Sequence, residues 1–210
     1  MATPSIETWV FSSPQWLSKV LPDKLRRARI LAFDYSVSLN ENDLSCQDFL
    51  VQGDILLNAL LNLRSTTHSD TQPLFAVCHS LGGLILKQAL CIANEQPYRY
   101  GSILSSVAGV IFLGTPHKGI TEGDTLTKWS TILASTANFK RPINLPEQRV
   151  TLEAAMLNQL AVRFEDVSIQ APILSVAENK KTKVYGGFMK SKNLVVSSNA
   201  PCHSNILTYL

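Results

Sequence analysis

The chain has 210 residues, 45% of them hydrophobic and 17% charged, with a formal net charge of +3. That balance fits one globular domain, residues 1–210, with a sizeable core, and excludes a disordered chain. The basic clusters Lys24 to Arg29 and Lys180 to Lys183 are too short for a nucleic-acid groove, so no nucleic-acid partner is expected.

No run of about 18 uninterrupted apolar residues occurs, so no transmembrane helix is expected. The opening "MATPSIETWVFSSPQW" has no positive segment ahead of an apolar core and is not read as a secretory signal. Cys46, Cys78, Cys91 and Cys202 form no C-x-x-C pair and read as thiols of an intracellular, cytoplasmic protein. His68, His79, His117 and His203 are scattered singly, so neither a metal nor a cofactor is expected.

Short apolar runs alternate with longer helical patterns, which predicts an α/β fold: a mostly parallel sheet flanked by helices. "ARILAFDY" (28–35) reads as a strand. Residues 43–65 place Leu44, Phe49, Ile55, Leu56, Leu60 and Leu63 near helical spacing. "LFAVCH" is the next strand and "LGGLILKQALCIANE" the next helix. "SVAGVIFLGTP" (106–116) is a continuous apolar run closed by Gly and Pro, the pattern of a buried strand. Residues 117–146 are mostly polar, with one short helix around Trp129, Ile132 and Leu133, in a place where lids lie in folds of this kind. A helix over 146–166 starts on Pro146, and "APILSVAE" and "KNLVVSS" are two more strands. "CHSNILTYL" begins a last helix.

Ser80 stands where a strand becomes a helix, at the carboxyl end where ligands gather in parallel sheets. A serine nucleophile on such a turn follows G-x-S-x-G, because small residues are needed where strand and helix backbones crowd. Here the elbow reads Cys78-His79-Ser80-Leu81-Gly82: Gly82 fills the trailing position and Cys78 replaces the leading glycine. The competing reading is a serine that merely caps the helix. The strand, His-Ser-Leu-Gly-Gly and amphipathic helix together favour the elbow, with the N–H of Leu81 as the first oxyanion donor.

A serine nucleophile needs a base and an orienting acid, in the order Ser, Asp/Glu, His for this fold. His203, after the final strand in "NAPCHSNI", is the expected base. His79 is adjacent to the nucleophile, His68 lies in a polar loop, and His117 comes too early, at best on the site rim. Glu178, at the carboxyl end of the penultimate strand, is the expected acid. Asp166 precedes that strand and reads as surface.

"WLSKVLPDKLRRARILAFDYS", "CHSLGGLILKQAL", "GVIFLGTPHKG" and "PCHSNI" together resemble the serine esterase/lipase-like α/β-hydrolase domains of fungal proteins. Those domains often precede NACHT or repeat modules and are related to serine-active-site proteins of lipid remodelling. The resemblance runs from about Trp9 to the end, and the elbow and "FLGTPHKG" are its most specific parts. It implies an ester or lipid substrate, with Ser80 and His203 at the family's nucleophile and base positions, peripheral membrane contact, and a mitochondrial or endoplasmic-reticulum membrane as the alternative location. Two departures stand out. Family members carry glycine where Cys78 stands, and they begin with an apolar strand ending in His-Gly that supplies the second oxyanion donor. The expectation is therefore a domain shortened at its N-terminus, and also soon after His203. It would be a weak catalyst, with 28–35 left as an unpaired, self-associating edge.

Two functions follow. One is a serine hydrolase of carboxylic esters, with transacylation using the same residues. The other is a catalytically impaired hydrolase-like domain with a recognition or signalling role.

Overall fold

The computed structural model describes residues 20–35, 46–117, 147–176, 182–184 and 192–194. In chain order the elements are α1 (Leu21–Lys24), α2 (Cys46–Thr66), β1 (Leu74–His79), α3 (Leu81–Glu95), α4 (Pro97–Ser106), β2 (Val107–Leu113), α5 (Glu147–Glu165), β3 (Ile173–Val176), β4 (Thr182–Val184) and β5 (Lys192–Leu194). β1, β2 and β3 form a parallel sheet in that spatial order, and β4 and β5 pair antiparallel in a second, two-stranded sheet. The α/β class expected from alternating strand and helix patterns is the class observed.

β2 is central because its "VAGVIFL" run is apolar on both faces, as a strand covered from both sides requires. Its register with β1 runs from Leu74↔Val107 to His79↔Leu113, and with β3 from Val110↔Ile173 to Leu113↔Val176. All three strands therefore end together, and the chain leaves each of them at one rim of the sheet.

α3 organises the helices: it packs against β1 and is flanked by α2, α4 and α5. Its first face buries Leu81, Leu84, Ile85 and Leu90 with Phe112 of β2 and Leu157, Leu160 and Phe164 of α5. Its second face buries Ala89 and Ala93 with Leu57, Tyr100 and Ile103 of α2 and α4. Each fully buried large apolar side chain contributes about 1.5–3 kcal/mol, so α3 is held by its packing on both sides. The buried Arg64 at the end of α2 donates from Nη2 to the carbonyls of Asp70 and Gln72, both at 2.7 Å, and to Ser106 Oγ at 2.9 Å. That fixes the turn through which the chain enters β1.

Three expectations are corrected. Residues 28–35 form no strand. Leu31 is 47% exposed, and only Phe33 and Tyr35 reach the main core, so the run is anchored by side chains without a ladder. A run with strand composition becomes a strand only by bonding a neighbour. α4, unread in the sequence, starts on Pro97 in the first turn, where a missing N–H costs nothing. β4 takes in part of the basic cluster Lys180 to Lys183, to which the sequence analysis assigned no strand. No helix among the described residues is long and apolar enough to cross a membrane.

Candidate active site

Ser80 follows β1 directly and has φ 49° and ψ −121°. These are the angles of the first central residue of a type II′ turn, a place glycine normally fills. An L-residue held there costs about 1–3 kcal/mol and persists only where its surroundings impose it. The surroundings are identifiable. The Ser80 N–H donates to the Leu113 carbonyl at 2.9 Å, and its carbonyl accepts from the Gly83 N–H at 3.1 Å. The side chain makes no capping hydrogen bond to α3. The capping alternative therefore fails, since a cap works by accepting a backbone N–H and lies in ordinary extended conformation.

α3 begins at once on Leu81, so the first N–H groups of the helix, including that of Leu81, stand beside the serine. The crowding that this turn imposes falls one residue later than the sequence pattern suggested. A Cβ on Gly82 would meet nothing within 4 Å among the described residues, whereas one on Gly83 would run into Thr115, 2.8 Å from its Cβ. The reason is geometric: Thr115 leaves β2 at the same rim and lies under the first turn of α3, on the side Gly83 faces.

Cys78 is half-buried and packs against the main core, and burial pushes its thiol up to about 12. It is a protonated, inert core thiol. Tyr35 is likewise pushed up to about 12, first by burial, then by the neighbouring Cys78 and Asp34. Ser80, Cys78, His79, Gly82 and Tyr35 line a cleft of about 1590 Å³ that runs along β1.

His117 is not on the rim. It is buried, with Nε2 3.2 Å from Ser175 Oγ of β3 and its ring edge-on to Phe112 at 4.8 Å. Lys87 Nζ donates to its carbonyl at 3.5 Å. Burial, and secondarily the Lys87 charge, pull His117 down to about 4, so it is neutral at physiological pH. It ties the loop after β2 to β3. The continuous apolar run ahead of it was the one available signal that it would stay inside. His68 lies in the turn after α2 with φ 51°, and Asp166 is exposed just past α5, as its sequence position implied. Glu178 and His203 lie outside the described residues. In the sequence, Glu178 follows the last residue of β3 by two positions. Among the described residues no group of three His, Cys, Asp or Glu could hold a metal ion.

The family model described as "Putative serine esterase (DUF676)" matches residues 17–201. Protein SERAC1 of Bos taurus is 29% identical over 104 residues, 50% of this chain and 15% of that protein. Protein SERAC1 of Homo sapiens is 28% identical over the same length. The chain thus spans about 15% of the length of these relatives. The crystal structure of Bacillus licheniformis lipase BlEst2 in mature form aligns with a TM-score of 0.42 at 20% identity, over 64% of this chain and 49% of that one. The family match takes in β1, the Ser80 turn and all of the sheet, and on it this chain belongs to the serine esterase family.

Proposed function

We propose that the chain is a serine hydrolase of carboxylic esters, with Ser80 as nucleophile. The observation that carries this reading is the backbone of Ser80: a strained turn with no capping bond has a physical cost and no structural return. In this reading Ser80 Oγ attacks the ester carbonyl and passes its proton to His203, which Glu178 orients. The Leu81 N–H receives the developing oxyanion. His203 then gives the proton to the departing alcohol, and water cleaves the acyl-serine by the same route in reverse. His117 is not an alternative base, because it is buried, engaged with Ser175 and held neutral far below the working range.

Initial rates on short-chain nitrophenyl esters test this assignment. Ser80→Ala should reduce the rate to background, and His203→Ala by about 10²–10⁴-fold. Glu178→Gln should lower it less, and Asp166→Asn should leave it unchanged. A Ser80→Ala variant as fast as the parent removes the nucleophile. A larger loss from Asp166→Asn than from Glu178→Gln removes the acid.

A further inference from the structure

Leu113 to His117, the stretch "LGTPH", belong to one of the two most distinctive motifs of the sequence, yet none of these side chains enters the chemistry at Ser80. Residues 114–117 are all buried. The Leu113 carbonyl accepts from the Ser80 N–H at 2.9 Å, and the Gly114 N–H donates to the Val176 carbonyl at 2.8 Å. Both groups belong to one peptide unit, so a single rigid plane joins the nucleophile's turn to the last residue of β3. Gly114 then turns the chain at φ 57°. Thr115 fills the space that a side chain on Gly83 would need, against the first turn of α3. His117 closes the bracket: its Nε2 is 3.2 Å from Ser175 Oγ of β3, and its carbonyl accepts from Lys87 Nζ of α3 at 3.5 Å.

β3 is four residues long and, among the described strands, pairs with β2 alone. Its buried position, Ser175, is polar, so the inward side chain at this end is held by a hydrogen bond and not by apolar packing. A buried polar pair is a poor source of stability, because two apolar groups of the same shape serve as well or better. It is a good way to fix a position, since a hydrogen bond constrains direction and apolar packing does not.

We propose that His117 is a positioning residue for hydrolysis: through Ser175 it holds the carboxyl end of β3, two residues ahead of Glu178 in the sequence, in fixed relation to the Ser80 turn. The inference rests on the hydrolase reading above and extends it. Misplacing reacting groups by about 1 Å can cost about 10²-fold in rate, so a bond remote from the chemistry has leverage on turnover. His117 itself is 5% exposed and acts through its neighbours, not on the substrate.

Steady-state kinetics of the full chain on nitrophenyl esters test this with His117→Leu, His117→Gln, Ser175→Ala and the double variant His117→Leu/Ser175→Ala. His117→Leu and Ser175→Ala should each lower kcat about tenfold or more and leave KM within about twofold. His117→Gln, whose amide can still bond Ser175, should keep most of the parent's kcat. Rates of fluorophosphonate labelling should follow the same order. The double variant separates position from stability. With neither polar partner left, it should be more stable than His117→Leu, yet as slow as either single variant. A kcat that recovers along with stability makes the pair structural and overturns the proposal. So does a parental kcat in His117→Leu, or losses that multiply in the double variant. Should His117→Leu fail to fold, a parental kcat in Ser175→Ala overturns the proposal in its place. Ser80→Ala as fast as the parent overturns the hydrolase reading itself, and the positioning role with it.

Discussion

The Ser80 N–H donates to the carbonyl oxygen of Leu113 at 2.9 Å, so the turn at the end of β1 is tied to the last residue of β2. That bond, with the one from the Gly83 N–H back to the Ser80 carbonyl, holds Ser80 at a positive φ. Strain kept in this way is available to be released by substitution.

Ser80→Gly should therefore be more stable than Ser80→Ala, by about 1 kcal/mol, because glycine accepts these angles freely and alanine does not. Neither variant forfeits a cap, since the parent has none. Both should be inactive. Urea denaturation of the pair gives the sign, and an alanine variant at least as stable as the glycine variant would contradict a strained turn.

The close approach of α3 to the rim of β2 makes opposite predictions for adjacent glycines. Gly83→Ala forces a methyl group into Thr115 and should cost about 1–3 kcal/mol. Gly82→Ala meets open space among the described residues and should be neutral or stabilising by up to about 1 kcal/mol through helix propensity. Thermal or chemical denaturation distinguishes them, and the reverse order would mean that Gly82 is the crowded position.

The sequence made β1 and α3 legible because each carries its own period and the serine marks the join between them. It also carried the central position of β2 in one uninterrupted apolar run. What it did not carry was pairing. Residues 28–35 have the composition of a strand, but a ladder is a property of two segments, and among the described strands β1 pairs only with β2. The same limit applies to the elbow glycines. The motif pattern singles out Gly82, while the crowded position, Gly83, is set by Thr115, 32 residues further along the chain. His117 read at best as a residue of the site rim, and the contact that holds it inside comes from Ser175, 58 residues further along the chain.

His117 should make stability depend on pH. Its ordinary value is 6.5 and the folded value about 4. As pH falls through about 6.5 the unfolded chain takes up this proton while the folded protein does not. Its contribution is therefore intact above about 6.5 and declines toward pH 4, by up to about 3 kcal/mol. His117→Gln, which can still bond Ser175, should flatten that slope. Denaturation midpoints of parent and variant at pH 7 and at pH 4.5 check this, and parallel slopes would contradict it.

Cys78→Gly, which restores the residue common in elbows of this kind, should destabilise the protein by about 1–2 kcal/mol. Among the described residues the non-glycine positions with positive φ are His68 and Ser80, so Cys78 gains nothing from glycine's freedom. It loses packing against the core and stiffness in the strand. A gain in stability would show that the thiol crowds the turn.

Covalent labelling with a fluorophosphonate, followed by mapping of the modified peptide, tests the central claim most directly, because the reagent needs an activated serine but no particular substrate. The account predicts one modified residue, Ser80, with labelling abolished in Ser80→Ala and slowed about 10²-fold or more in His203→Ala. Labelling at another serine, or equal labelling of Ser80→Ala and the parent, would contradict it.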